Sequence, residues 1–212
     1  MPISLLKFST SRLFPTLFAT LLCTSCSRVS APPANASTLD ISFSKDMERP
    51  WVPLNDGVMG GMSEGAVTWQ DSSFRWQGQT RLENNGGFAS LRSPWGDQDL
   101  RGFQRLEVTC RGTGGPFKVT LETSQRWWMP YAYATLDVSE EWQTIEVDAK
   151  DFQWSQAQMG DLRTVDPQSE FQNILRMGWM KYDGTAQAFD LEVGQMRWIQ
   201  CCLLYTSPSP RD

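Results

Sequence analysis

The chain has 212 residues, 40% of them apolar and 20% charged, with a formal net charge of −5. That length holds one domain or at most two, and the composition is that of a globular chain rather than a disordered one. The negative balance repels phosphate backbones, so nucleic acid is not an expected partner. The absence of histidine removes the Ser-His-Asp triad, the Cys-His pair and the usual zinc sites.

Residues 1–26 read as a signal. Lys7 and Arg12 precede an apolar run from Leu13 to Cys23, which is too short to span a bilayer and has the size of a secretory core. Cys-Thr-Ser-Cys follows, and Cys26 stands where a bacterial lipoprotein signal carries its acylated cysteine, although Cys23 takes the place of the usual leucine. Ser27 fits outer-membrane sorting, so the expected location is the bacterial cell envelope, with a lipid anchor at the periplasmic face of the outer membrane. Two alternatives stay open: another cleaved secretory signal, and a mitochondrial transit peptide. No acidic residue precedes Asp40, as in transit peptides, but arginine is sparse and the apolar run is continuous. Residues 27–39 read as a flexible Ser/Ala/Pro linker.

Residues 40–200 read as one domain, and all ten tryptophans fall between Trp51 and Trp198. Period-two alternation places Leu106, Val108 and Cys110 on one face, and does the same for Phe117, Val119 and Leu121 and for Phe189, Leu191 and Val193. Further strands are expected at Val67–Trp69, Phe74–Trp76, Phe88–Arg92, Tyr131–Val138, Trp142–Val147 and Ile174–Tyr182. Turn signals fall at 77–78, 84–87, 112–116 and 183–184. Many short strands argue for an all-β sandwich or jelly roll, with one long irregular loop from Asp148 to Phe171. Cys110 reads as a small core residue, and a pairing with Cys201 stays open. Residues 202–212, CLLYTSPSPRD, resemble a translated adapter of sequencing libraries and are left out of the fold.

Two glycine-rich motifs stand out. The first is Asn55-Asp56-Gly57-Val58-Met59-Gly60-Gly61. No lysine follows it, so it is not a phosphate loop, and with only Asp56 and Glu64 acidic it lacks the carboxylates of a calcium loop. It reads as tight turns. The second runs from Glu83 through Asn84-Asn85-Gly86-Gly87 to Phe88, Ser90 and Arg92. Alternation puts Arg92 on the row of Phe88. If that row faces the core, Arg92 needs a carboxylate, and Asp56 is the candidate partner. A third feature is Arg126-Trp127-Trp128-Met129-Pro130-Tyr131. Neighbouring tryptophans in a strand point to opposite faces, so one of Trp127 and Trp128 is expected to be exposed or in a loop. With Arg126 and Tyr131 this suits a sugar-stacking platform, a protein hot spot, or simply core packing. The carboxylate pairs Glu140/Glu141 and Asp148/Asp151 lack any sign of the opposed cleft geometry that glycoside hydrolysis needs.

Trp51, the first motif with Ser63, and the second motif through Arg92 together resemble the complex I intermediate-associated protein 30 family, over roughly residues 40–199. The resemblance implies a galactose-binding-like jelly-roll β-sandwich and a non-enzymatic role, without cofactor or metal, in holding intermediates of a membrane complex. The expected partners are therefore protein, with the membrane reached through the lipid. The alternative is a carbohydrate-binding module of the cell envelope with a glycan ligand. A broad apolar patch would favour the first, and an aromatic platform with nearby Asn or Asp the second.

Overall fold

A computed structural model describes residues 37–155 and 163–200. The signal, the proposed lipid site at Cys26, residues 27–36 of the linker, and Cys201 with the adapter-like tail lie outside the described residues. The strands are β1 (Ser37–Ile41), β2 (Val52–Asn55), β3 (Glu64–Trp69), β4 (Phe74–Gln79), β5 (Ala89–Arg92), β6 (Arg105–Thr113), β7 (Phe117–Glu122), β8 (Ala132–Leu136), β9 (Gln143–Asp148), β10 (Gln153–Trp154), β11 (Arg163–Thr164), β12 (Arg176–Lys181) and β13 (Ala188–Gln200). The paired strands are antiparallel and build two sheets.

The first sheet runs β3-β4-β13-β6-β9. Its spine is β13, which pairs with β6 along one edge. Its other edge takes β4 over Ala188–Val193 and β1 over Met196–Gln200, and the register shifts between Val193 and Gln195. The second sheet runs β11-β10-β8-β7-β12-β5-β2. Alternation drives the inward rows together: Leu106, Val108 and Cys110 from β6 and Leu191 and Val193 from β13 meet Phe117, Val119 and Leu121 from β7, all fully buried. Aromatic edges cross the gap, with Phe74 to Trp179 at 6.3 Å and Trp76 to Phe117 at 6.3 Å between ring centroids. This is the jelly-roll sandwich expected from the strand pattern. Cys110 is a buried thiol that pairs with no other cysteine among the described residues, its pKa pushed up to about 12 by burial; the pairing with Cys201 lies outside them.

Three details differ from the sequence reading. Ser37–Leu39, assigned to the linker, belong to β1 and pair with Trp198–Gln200. Gln77 and Gly78, read as a turn, lie inside β4, where a Cβ on Gly78 would stand 2.0 Å from the Glu64 carbonyl oxygen. Glycine serves there for the close approach of two backbones, not for turning. The segment Asp148–Phe171 is not simply an irregular loop. It carries β10 and β11 at the sheet edge and a short helix, α1 (Pro167–Glu170), capped by the Asp166 carboxylate on the Gln168 amide. Phe152, Trp154, Val165 and Phe171 anchor this segment on the core.

The tryptophans divide cleanly. Trp198→Ala, at a fully buried position, should lower stability by about 3–5 kcal/mol in urea denaturation. Trp127→Ala, at a position 81% exposed, should change it by less than about 0.5 kcal/mol. Equal losses at the two positions would contradict the assigned core.

Candidate functional site

Asp56 is fully buried at the end of β2 and, among the described residues, pairs with no cation. Its carboxylate instead accepts four hydrogen bonds: from the Ser63 amide at 2.8 Å, the Ser63 hydroxyl at 2.5 Å, the Gly87 amide at 2.7 Å and the Phe88 amide at 3.3 Å. Donors from both glycine-rich motifs thus converge on one anion. The glycines clear the space around it. A Cβ on Gly61 would lie 2.4 Å from the Asp56 Cγ, and one on Gly86 would lie 2.6 Å from its Oδ2. Asn84, in the left-handed region, donates to the Gly60 carbonyl at 3.1 Å and ties the second loop to the first. Burial alone raises the Asp56 pKa; the Ser63 hydroxyl and the Gly87, Ser63 and Phe88 amides lower it by more, and the net value falls below the ordinary 3.8.

The expected Asp56–Arg92 pair is not formed. The row of Phe88, Ser90 and Arg92 faces away from the core, and Ala89 and Leu91 face into it. Arg92 lies on the outer face of the second sheet, donating from Nε to the Ser90 hydroxyl at 3.1 Å, with Glu122 at 3.8 Å. Glu122 also binds Arg176 at 2.6 Å. Gly178, opposite both Arg92 on β5 and Thr120 on β7, leaves the path across β12 free of a side chain. A Cβ there would stand 2.6 Å from the Thr120 hydroxyl oxygen and 3.8 Å from the Arg92 Cγ. Burial lowers the Arg92 pKa, Glu122 raises it and Arg176 lowers it; the net direction is down from the ordinary guanidinium value.

Arg92, Thr120 and Glu122 are part of the floor of a cleft of about 570 Å³ over the outer face of the second sheet; Arg176 does not line it. The rest of the floor is apolar or aromatic: Leu54 from β2, Phe88 before β5, Met180 and Tyr182 at the end of β12, and Tyr131 before β8. One wall is Val58 and Met59, carried on the 3-10 turn Asp56–Met59, both more than half exposed. The opposite wall is Trp127, Met129 and Pro130. Anchoring of Asp56 therefore also sets where Val58 and Met59 stand.

The sequence-derived candidates separate into two groups. Arg92, Arg126, Trp127 and Tyr131 line the cleft. Trp128 does not line it, but meets Trp127 edge-on at 5.8 Å and lies under Arg126 at 6.0 Å. Trp127 and Trp128 occupy a turn rather than a strand, and both are exposed. Asn55, Asp56, Gly60, Gly61, Asn84, Asn85, Gly86 and Gly87 are scaffold beside the cleft and do not line it; nothing packs within 4 Å of a Cβ at Gly57. Sequence reasoning missed Val58, Met59, Thr120, Glu122, Met180 and Tyr182. The outward positions of β7 and β12 were readable as alternation, but not as facing a cleft. Glu140, Glu141, Asp148 and Asp151 do not line it, and among the described residues no cluster of three metal-binding side chains occurs.

The sandwich is similar in fold to known carbohydrate-binding modules. The family 11 carbohydrate-binding module of a cellulosomal cellulase from Clostridium thermocellum is similar at a TM-score of 0.58 and 12% identity, over 81% of this chain and 97% of that one. The family 11 module from Clostridium thermocellum in complex with a β-1,3-1,4-mixed-linked tetrasaccharide is similar at 0.56 and 12% identity, over 81% and 98%. At that identity the likeness shows the fold alone. The chain itself belongs to the complex I intermediate-associated protein 30 family, whose model matches residues 40–193. Curated protein sequences yield no match.

Asp56→Asn places an amide among the amide N–H groups of Ser63, Gly87 and Phe88, and should cost about 3 kcal/mol near neutral pH. Because the folded-state pKa lies below the ordinary 3.8, the carboxylate's contribution is present above that value and is lost as pH falls through the folded-state pKa. Urea denaturation of both proteins should show the stability gap narrowing below about pH 4. A gap independent of pH would contradict the charged, hydrogen-bonded Asp56.

Proposed function

We propose that the protein is a non-catalytic binding domain whose cleft receives an apolar segment of a protein partner, and that the partner is an assembly intermediate of a membrane complex of the respiratory complex I type. The observation that carries this reading is the chemistry of the walls. Val58 and Met59 on one side and Trp127, Met129 and Pro130 on the other form an exposed aliphatic, thioether and indole surface. Such side chains adapt to another apolar surface, and exposed clusters of them mark protein interaction sites. The membership of the chain in a family described as complex I intermediate-associated supports the choice of partner.

A second reading, a carbohydrate-binding module, is favoured by the fold it shares with sugar-binding modules and by Trp127, Tyr131 and Tyr182 around the cleft. Shared fold is analogy. Among the described residues no Asn or Asp lines this cleft, and the polar side chains there are Arg, Glu, Ser and Thr. We further propose that acylation of Cys26 tethers the domain to the bacterial envelope membrane, with Ser27 onward as the tether. A lipid anchor would hold the domain at a membrane surface.

The test uses cells that lack the protein, complemented with wild type, Trp127→Ala or Met59→Asp. Both variants alter exposed walls and should keep the wild-type melting temperature. The expected result is loss of assembled complex I on native gels with either variant, as with the deletion. Unchanged complex I, together with a saturable rise in melting temperature from one saccharide that Trp127→Ala abolishes, would replace this reading with the carbohydrate one. For the tether, Cys26→Ala should move the protein from the membrane to the soluble fraction.

A further inference from the structure

The cleft is electrically lopsided. The strand register sets Phe88, Met180 and Tyr182 at one end and Arg92 and Glu122 at the other, and Arg126 also lines the cleft. On the charged side two guanidinium groups share one carboxylate. Arg176 takes the close contact with Glu122, at 2.6 Å, whereas Arg92 remains at 3.8 Å. Glu122 and both arginines are largely buried, with side chains only 15–17% exposed. Among the described residues Arg92 donates a hydrogen bond only from Nε, to Ser90, and its two terminal nitrogens donate none. The trio carries one positive charge more than its carboxylate neutralises. It lies on a face where Lys118 adds a further cation, held over the rings of Tyr133 and Tyr182 at 4.7 and 5.3 Å.

We infer that the cleft selects an apolar segment carrying an acidic side chain, whose carboxylate is received by Arg92 and supported by Arg126 at the rim. This rests on the protein-binding reading above. The apolar end takes the aliphatic and aromatic residues of the segment, and the charged end supplies its polarity. Arg92 is suited to the task because its planar fork offers two parallel donors to a carboxylate, and its partial burial strengthens that bond relative to one made in water. Glu122 has two functions here. It lowers the cost of holding two guanidinium groups close together, Arg92 in the cleft and Arg176 beside it, and it leaves Arg92 underused. A segment without a carboxylate covers the terminal nitrogens of Arg92 and gives them no hydrogen-bond acceptor, so rejection follows from the same geometry as recognition.

The test immobilises the full-length protein and presents two libraries of N-acetylated, C-amidated heptapeptides drawn from Leu, Phe, Met and Ser. The central position is fixed as Glu in one library and Gln in the other. The enriched peptides are then measured one by one by fluorescence anisotropy at two salt concentrations. The expected result is a preference for Glu over its Gln counterpart of about tenfold or more, weakening with salt. Arg92→Gln should abolish the preference, and Glu122→Gln should enlarge it, because removing the competing carboxylate frees both arginines. The salt dependence of the wild-type protein carries the test if either variant fails to fold.

Glu and Gln peptides bound within twofold of one another, and both weakened by Trp127→Ala, would overturn the charge selection and leave the protein-binding reading standing. Retention of neither library, with an Arg92-dependent interaction with an oligouronate instead, would overturn both in favour of an acidic glycan. Retention of nothing would overturn both outright.

Discussion

The domain depends on one buried anion. Asp56 is removed from water without a counter-ion among the described residues, a situation that ordinarily favours the neutral acid. It stays ionised because donors from two loops, one ending at Ser63 and the other at Phe88, are aimed at it before any ligand arrives. The arrangement is cooperative in a simple sense. Without the carboxylate, the Ser63 and Gly87 amides are donors buried with nothing to bond. Without the glycines, the loops cannot close to hydrogen-bonding distance, since a Cβ at Gly61 or Gly86 would sit on the carboxylate itself. Local chain conformation, tertiary contact and charge are therefore settled together at one point.

That point lies beside the cleft. Asp56 begins the turn that carries Val58 and Met59, and Phe88, whose amide reaches the same carboxylate, lies on the cleft floor. One electrostatic constraint thus positions a wall and part of the floor. Exposed methionine and valine side chains cost little to desolvate, and a rigid turn beneath them reduces the ordering needed on binding. The opposite wall has a different basis: Trp127 and Met129 sit on a turn closed by the Met129 amide on the Arg126 carbonyl. The cleft therefore joins a pinned side to a side held by fewer contacts, a combination suited to a binding surface that must fit a partner's side chains.

Much of the fold was legible in the sequence because a half-buried strand advertises itself by alternation. The rows of Leu106, of Phe117 and of Phe189 face the core as the period of two requires. What failed was the choice of side where both faces of a strand are covered. In β5, Ala89 and Leu91 meet the core while Phe88 and Arg92 meet a cleft, and the bulk of Phe88 made its row look like the inner one. The Asp56–Arg92 pair was a consequence of that inversion. The need it addressed was real, since Asp56 is buried and charged, but backbone amides answer it, and amides carry no residue identity to read. Glu122, the carboxylate Arg92 does approach, lies 30 residues along the chain, and only the pairing of β12 with both β5 and β7 brings the two together. The two short edge strands in Asp148–Phe171 were illegible for another reason: two-residue strands are too short to show any period.

The measurement that bears most directly on this account is a carbon-13 NMR titration of the Asp56 side-chain carboxyl in the folded protein. The account predicts a transition below the ordinary 3.8, with the Gly87 and Ser63 amide protons shifting in step as their acceptor is lost. A carboxyl that titrates at or above the ordinary value, with those amides unmoved, would mean that burial dominates, that the loops are held by something else, and that the cleft wall does not rest on Asp56.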